Sequence, residues 1–211
     1  MPAVLDHLLW ASADLDAAVG ALETCTGVRA AYGGSHPDLG THNALVALGG
    51  RTFLEVLAPD PMLKAGPLAR QLGELRAPVL LMWAARVESA ADTAARAEAA
   101  GYRAMMVPGH RSRPGGGVAR WTNVFVSGHG AGTLVPFFIE WHEGGHPADD
   151  APSGLSLASF AIETPRPESL NIVLVTLDVD VEVRDGEVDR LVAAIDSPRG
   201  RLELVGPDLP E

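Results

Sequence analysis

The chain has 211 residues, of which 47% are hydrophobic and 20% charged, a composition typical of a globular protein with a sizeable core. Its net charge of −11 argues against nucleic acid and anionic membranes as partners, and no apolar run is long enough to span a membrane. A single cysteine, Cys25, excludes an intrachain disulfide and, with no signal-peptide pattern, predicts a cytoplasmic location.

The first segment, residues 1–59, predicts the element order strand, helix and three strands. Residues 4–11 form a short apolar run typical of a strand. A helix follows, with Asp14 as a candidate N-cap and Gly27 where a helix C-terminus favours a left-handed residue. Residues 28–32 are a possible strand and residues 33–40 a glycine-rich loop. Two further strands are expected in residues 41–57, joined by a glycine pair that suits a hairpin turn.

The same order recurs twice along the chain. A helical connector, residues 60–77, leads to a second unit over residues 78–142, which opens with a strand and an alanine-rich helix. A polar, proline-containing linker over residues 143–153 then precedes a third unit, residues 154–206, with shorter loops. Three copies of one strand–helix–three-strand unit are therefore predicted, with residues 108–117 as a long loop in the second.

The last strand of each predicted unit carries a glutamate inside an apolar run. These are Glu55, Glu140 and Glu203. A buried carboxylate is costly without a partner, so its recurrence at matched positions indicates an acidic site that two copies could share. The strand that opens the third unit carries Leu157 where the first carries His7, so we interpret Glu203 as structural or interfacial.

Four short motifs resemble those of the vicinal oxygen chelate superfamily, and most closely its glyoxalase-like domain proteins. They are Leu5-Asp-His-Leu-Leu-Trp-Ala11, Gly40-Thr-His-Asn-Ala-Leu45, Phe53-Leu-Glu-Val-Leu57 and Phe137-Phe-Ile-Glu-Trp141. The resemblance implies an α+β fold of repeated βαβββ modules. Modules 1–59 and 78–142 would pair into an eight-stranded, cup-shaped sheet within a domain over residues 1–146. A third βαβββ-like module would follow at 154–206.

The resemblance also implies a divalent metal in the cup, either Zn, Mn, Fe, Ni or Co. The family positions fall on His7, Glu55 and Glu140, and imidazole and carboxylate groups are competent ligands for these metals. Glu140 or Glu55 would then also transfer a proton as the catalytic residue. The fourth family position falls on Leu80, which cannot bind a metal, so the ligand set is expected to depart from the family pattern.

Further residues are candidates for contact with a small-molecule substrate. Because adjacent strand residues face opposite sides, only one of His42 and Asn43 can point into the cup. The alternative interpretation of the tryptophans is that they are core residues. For the arginines near the predicted loop, the alternative is that they are solvated surface charges. The full set of candidates is His42, Asn43, Trp10, Trp83, Arg120, Trp121 and Phe138.

Two functions from different classes fit these features. The first is a metal-dependent enzyme of lyase, isomerase or dioxygenase type that acts on a small oxygen-rich substrate. The second is a non-catalytic protein that sequesters a small molecule, as bleomycin-resistance proteins do, and the loss of a ligand at Leu80 favours it. The third module is predicted either to pack against the cup or to form a homodimer, since it would otherwise expose strand edges.

Overall fold

The computed structural model describes residues 2–112, 117–142 and 145–207. Its strands are β1 (Val4–Ala11), β2 (Ala31–His36), β3 (Thr41–Gly49), β4 (Thr52–Pro59), β5 (Val79–Arg86), β6 (Arg103–Ser112), β7 (Val118–Ser127), β8 (Phe137–Trp141), β9 (Ser156–Thr164), β10 (Glu182–Asp185), β11 (Arg190–Ser197) and β12 (Gly200–Val205). Its helices are α1 (Leu15–Thr26), α2 (Pro67–Gly73), α3 (Ala90–Ala99), α4 (Pro147–Asp150) and α5 (Pro167–Thr176), with a 3₁₀ turn at Gly132–Leu134.

The first eight strands form one sheet in the order β2-β3-β4-β1-β5-β8-β7-β6. Within each half the first strand of the module lies parallel to the fourth, and β1 and β5 join the halves antiparallel at the centre. Two βαβββ modules therefore form the predicted curled sheet. The edge strands β2 and β6 come close to each other across the concave side, which gives the sheet its cup shape.

The ends of α1 follow the local sequence as expected. The Asp14 side chain accepts a hydrogen bond of 2.9 Å from the Ala17 amide, and Gly27 ends the helix with φ of 79°, a conformation that glycine adopts without strain. In α3 the Ser89 hydroxyl caps the first turn in the same way. Both helices pack on the convex face of the eight-stranded sheet.

Two predicted loops contain regular structure. Strand β6 continues through Ser112, so the loop predicted to begin at residue 108 is wrong over its first part, and residues 113–116 lie outside the described residues. Strand β2 takes up part of the glycine-rich segment predicted as a loop, residues 33–40. In both places the segment pairs with the next strand, which satisfies its backbone hydrogen bonds. This pairing outweighs the local tendency of glycine and proline to interrupt a strand.

The third module has the predicted element order but a different strand pairing. Its sheet runs β10-β9-β11-β12, with β9 parallel to β10 and antiparallel to β11. In the first two modules the opening strand lies beside the fourth strand instead. The third module is thus βαβββ-like in sequence order without repeating the module topology. Glu203 lies exposed on its edge strand β12.

One hydrophobic core joins this second sheet to the convex face of the first. The Trp83 side chain, only 1% exposed, meets the ring of Phe160 edge-on at 5.1 Å and donates a hydrogen bond of 2.9 Å to the Leu134 carbonyl. Trp10, Leu80 and Phe138 lie in the same core. The third module therefore packs against the cup, which is one of the two predicted arrangements. Among the described helices, none combines the length and apolarity that a membrane span requires.

Candidate active site in the cup

The concave face of the eight-stranded sheet encloses a cavity of about 210 Å³. Both modules contribute to its wall, which is dominated by aromatic and aliphatic side chains with a few polar groups. The residues that line it are His7, Leu9, His36, Leu39, Asn43, Leu45, Phe53, Glu55, Leu57, Leu68, Met82, Arg111, Trp121, Asn123, Phe125, Phe137, Ile139, Trp141 and Pro147. A mostly apolar pocket with a few converging polar groups is the usual form of a small-molecule site.

The polar centre of this cavity belongs to the first module. The parallel pairing of β1 with β4 brings His7 and Glu55 to the same face, and His7 Nε2 lies 3.5 Å from Glu55 Oε2. The Asn43 amide on β3 donates a hydrogen bond of 2.6 Å to Glu55 Oε1. The His7 ring stacks on Phe53 with ring centroids 4.5 Å apart. Two predicted ligands and one predicted substrate contact thus meet in the cup.

The Asp6 carboxylate holds His7 in one orientation. Asp6 is fully buried, and its Oδ1 lies 2.7 Å from His7 Nδ1. The pairing of β1 with β5 shifts register between Leu5 and His7, which indicates a bulge that accommodates Asp6. Because an ionised carboxylate only accepts hydrogen bonds, His7 Nδ1 carries the proton, and in the neutral imidazole the lone pair is on Nε2 in the cavity.

Three further donors surround the other oxygen of Asp6. The His146 ring accepts a hydrogen bond from the Ala148 amide at Nδ1, so its Nε2 carries the proton that it donates to Asp6 Oδ2 over 2.9 Å. Trp141 Nε1 and Arg86 Nη1 reach the same oxygen at 3.1 Å and 3.3 Å. Although burial raises the pKa of Asp6, the hydrogen bonds and charges of His146 and His7 hold it well below its usual range.

His36 is a second histidine of the cavity wall. Its Nδ1 lies 3.1 Å from the Thr41 hydroxyl, and its Nε2 lies 3.5 Å from the Asn43 amide nitrogen. Burial lowers the pKa of His36; the charge of Glu55 opposes this shift, and that of Arg111 adds to it. His36 is therefore neutral near pH 7, and the cavity gains a polar group without a further charge.

Arg111 bridges the gap between the two edge strands. Its Nη1 on β6 donates a hydrogen bond of 2.6 Å to the carbonyl of Gly33 on β2. A Cβ atom at Gly33 would lie 2.7 Å from that same Nη1, closer than atoms can approach, so only glycine allows the arginine to cross here. The bridge closes one side of the cup above Asn43 and His36.

Glu140 does not join His7 and Glu55. On β8, Phe137, Ile139 and Trp141 face the cavity, so strand alternation turns Glu140 to the convex side. There its carboxylate accepts a hydrogen bond of 2.7 Å from the Ala90 amide at the start of α3. The prediction of Glu140 as a metal ligand and proton carrier in the cup is therefore wrong, because that carboxylate caps a helix instead.

The donor set of the cup does not complete the predicted metal centre. His7 and Glu55 supply two ligands, whereas the second module lines the cavity with groups such as Met82 and Ile139. Leu80, the expected fourth position, lies in the core on the convex side. Within residues 2–112, 117–142 and 145–207, no group of three or more histidine, cysteine, aspartate and glutamate side chains could hold a metal ion.

The other predicted substrate contacts lie on different faces of their strands, and only some of them face the cavity. Trp121 and Asn43 line the cavity as predicted, and the Trp121 and Trp141 rings lie 5.4 Å apart. His42 is adjacent to Asn43 and faces away from the cavity, and Arg120 lies outside its lining. Trp10, Trp83 and Phe138 lie in the core instead. These placements correct the prediction, since a strand that is apolar on both faces does not indicate which one is concave.

Five residues of the site were not predicted from the sequence: Asp6, His36, Arg111, Asn123 and His146. The pair Asp6-His7 is adjacent in sequence, and an acid next to a candidate catalytic histidine is a signal that could have been used. Asn123 lies on β7 and lines the cavity from the second module. His146 follows the second module and was assigned to the linker, from which its contact with Asp6 could not be read.

Two βαβββ modules that curl into a cup define the class of proteins with the vicinal oxygen chelate fold. A family model described as "Glyoxalase-like domain" matches residues 5–177, and the chain belongs to this family. A search of curated proteins found no match.

Solved structures share the fold at low sequence identity. A hypothetical protein from Staphylococcus aureus is 12% identical with a TM-score of 0.66, and the alignment covers 98% of this chain and 86% of that one. A mutant of 4-hydroxymandelate synthase from Streptomyces coelicolor is 18% identical with a TM-score of 0.52, covering 99% of this chain and 65% of that chain. Methylmalonyl-CoA epimerase from Mycobacterium tuberculosis is 21% identical with a TM-score of 0.49, covering 69% and 91%.

The role of Glu140 can be tested by substitution. Glu140→Ala removes the acceptor for the Ala90 amide and should lower the free energy of unfolding by about 1 kcal/mol, whereas Glu140→Gln keeps an acceptor and should lower it less. Urea denaturation of both variants measures this difference. A loss of ligand binding in the cup with unchanged stability would contradict the assignment.

The buried Asp6 predicts acid sensitivity. Because its pKa is lowered in the folded protein, its contribution to stability is present above the ordinary value of about 4 and is lost progressively as pH falls from there toward the lower pKa of the folded state. Asp6→Asn should be less stable than the wild type at pH 7 and should show a weaker decline in stability from pH 5 to pH 3. Parallel decline of the two proteins, measured by urea denaturation at each pH, would contradict this role.

Proposed function

We propose that the chain is an enzyme of lyase or isomerase type that moves a proton on a small oxygen-bearing substrate in the cup, with His7 as the proton acceptor. The observation that carries this proposal is the line of three groups Asp6, His7 and Glu55, in which a buried carboxylate orients an imidazole whose second nitrogen opens into a cavity. A base oriented by a third group in this way is the arrangement that general acid–base catalysis requires.

Asp6 would act on His7 in two ways. Its hydrogen bond to Nδ1 keeps the lone pair on Nε2, the nitrogen that faces the substrate. When Nε2 takes up a proton, the resulting imidazolium has Asp6 at 2.7 Å on one side and Glu55 at 3.5 Å on the other. Both negative charges favour the protonated ring in a cavity with a mostly apolar wall, so proton uptake from the substrate is stabilised.

Glu55 would provide the second proton-transfer group. The Asn43 amide holds Oε1, which leaves Oε2 directed toward His7 and the cavity. A proton taken up by His7 Nε2 from one atom of the substrate could pass to Glu55 Oε2, which lies 3.5 Å away, and be returned from there to another atom of the substrate, which is the requirement for an isomerisation. The apolar wall, with Phe53 and Phe137 around the His7 ring, limits water near these groups.

Among the described residues, the metal predicted from the family resemblance has no complete ligand set in the cup, since Glu140 lies on the convex face. We therefore assign no step to a metal ion. The chemistry proposed depends on His7, Glu55 and Asp6 alone.

The second candidate function is non-catalytic binding of a small molecule. The wall from the second module favours it, because Met82, Phe125, Phe137 and Ile139 supply apolar contact and no proton-transfer group. In this case His7 and Glu55 would only bind the ligand, and substitution of His7 would lower affinity without abolishing a reaction. Measurement of turnover separates the two functions.

Proton transfer can be measured before the natural substrate is known. Small hydroxy-carbonyl and dicarbonyl compounds incubated with the protein in D₂O should incorporate deuterium at the carbon next to the carbonyl, as followed by NMR. His7→Gln should slow this exchange by roughly 10²- to 10⁴-fold, since it removes the base. His142→Gln is the matched control, because His142 lies outside the cavity lining and should leave the rate unchanged. Exchange that persists in His7→Gln would refute the assignment of the base.

A further inference from the structure

The Asn43 side chain has an unsatisfied carbonyl oxygen in the cavity. Asn43 is 4% exposed and lines the cup, and its Oδ1 is buried with no hydrogen-bond partner among the described residues. A buried acceptor without a partner is destabilising by about 1–3 kcal/mol, so native proteins rarely keep one. An acceptor of this kind in a ligand-sized cavity indicates that a ligand supplies the missing donor.

The orientation of this amide is fixed. Its nitrogen donates the hydrogen bond of 2.6 Å to Glu55 Oε1, and a carboxylate oxygen can only accept. A flipped amide would place two acceptors against each other. The carbonyl oxygen of Asn43 must therefore be the atom that remains unpaired.

Two other acceptors face the same inner part of the cup. One is Glu55 Oε2, and the other is the lone pair that Asp6 leaves on His7 Nε2. In the second module the Asn123 carbonyl oxygen also lines the cavity and is buried without a partner among the described residues. The inner surface therefore favours a ligand that donates hydrogen bonds. An anionic group there would be repelled by the negative charge of Glu55.

The rest of the wall suits a flat apolar body. Phe125 and Phe137 are stacked with centroids 5.4 Å apart, and Trp121 and Trp141 form a second pair at 5.4 Å. Aromatic surfaces of this kind pack best against another ring, face to face with an offset or edge to face. The His7 ring continues this surface through its stacking on Phe53.

We propose that the ligand of the cup is an aromatic molecule whose inner end carries a hydrogen-bond donor, a hydroxyl or an amine, that bonds to Asn43 Oδ1. An aryl carboxylate is disfavoured at this position. This inference rests on the proposed function in one respect, because it takes the same cup as the site. It concerns the binding of the ligand and is independent of whether His7 transfers a proton.

Four probes with one ring separate the possibilities: phenol, aniline, anisole and benzoate. We expect phenol and aniline to bind the full-length protein roughly 3- to 10-fold more tightly than anisole, since anisole leaves the acceptor unpaired, and benzoate to bind most weakly. Dissociation constants from ligand-observed NMR titrations measure this. The comparison of phenol with aniline shows whether the site prefers a hydroxyl or an amine donor. Tighter binding of either compound than of anisole supports the proposal.

Substitution at Asn43 identifies the acceptor. In Asn43→Ala the preference for phenol over anisole should fall toward one, whereas His42→Ala, a change at the adjacent residue that faces away from the cavity, should retain the preference. Toluene binding to each variant reports whether the cup is still folded, because it depends only on the aromatic wall. Binding of anisole or benzoate as tight as that of phenol, an unchanged preference in Asn43→Ala, or no saturable binding of any probe would overturn the proposal.

The two proposals can fail separately. Donor selectivity with no deuterium exchange would leave the ligand class standing and remove the catalytic function. Exchange that depends on His7, with no difference between phenol and anisole, would do the reverse.

Discussion

The structure of the cup depends on one buried charge, the carboxylate of Asp6. Its donors come from four parts of the chain: His7 on β1, Arg86 on β5, Trp141 on β8 and His146 before α4. A carboxylate removed from water is tolerated only when such groups surround it, and loss of one donor leaves the charge uncompensated. The same contacts therefore join the two modules, dock the segment that follows them and set the orientation of His7.

The two modules contribute different kinds of side chain to the cup. The first module supplies His7, Glu55 and Asn43, whereas the second supplies most of the aromatic wall and directs Glu140 to the start of α3. The third module covers the convex face and shares its core with the first two. The fold repeats a unit, but the chemistry does not repeat with it, because each glutamate faces a different environment.

The sequence predicted the fold well because its signals are local: helix caps such as Asp14, glycine stops such as Gly27, and the order of apolar runs. The family resemblance of the first module placed His7 and Glu55 in the cup, but it left open whether His42 or Asn43 faces the cavity. It failed at Glu140, because both faces of its strand are apolar and a one-residue shift reverses which face a side chain takes. Asp6 depends on a bulge and on contacts distant in sequence, which no local pattern reveals.

The most direct test of this account is the protonation of the His7 ring, read from ¹⁵N–¹H correlation spectra of the histidine side chains near neutral pH. The account predicts that neutral His7 carries its proton on Nδ1, where Asp6 accepts it, and that Asp6→Asn abolishes this preference. A proton on Nε2 in the neutral ring of the wild-type protein would contradict the account, because the cup would then contain no free base at that position.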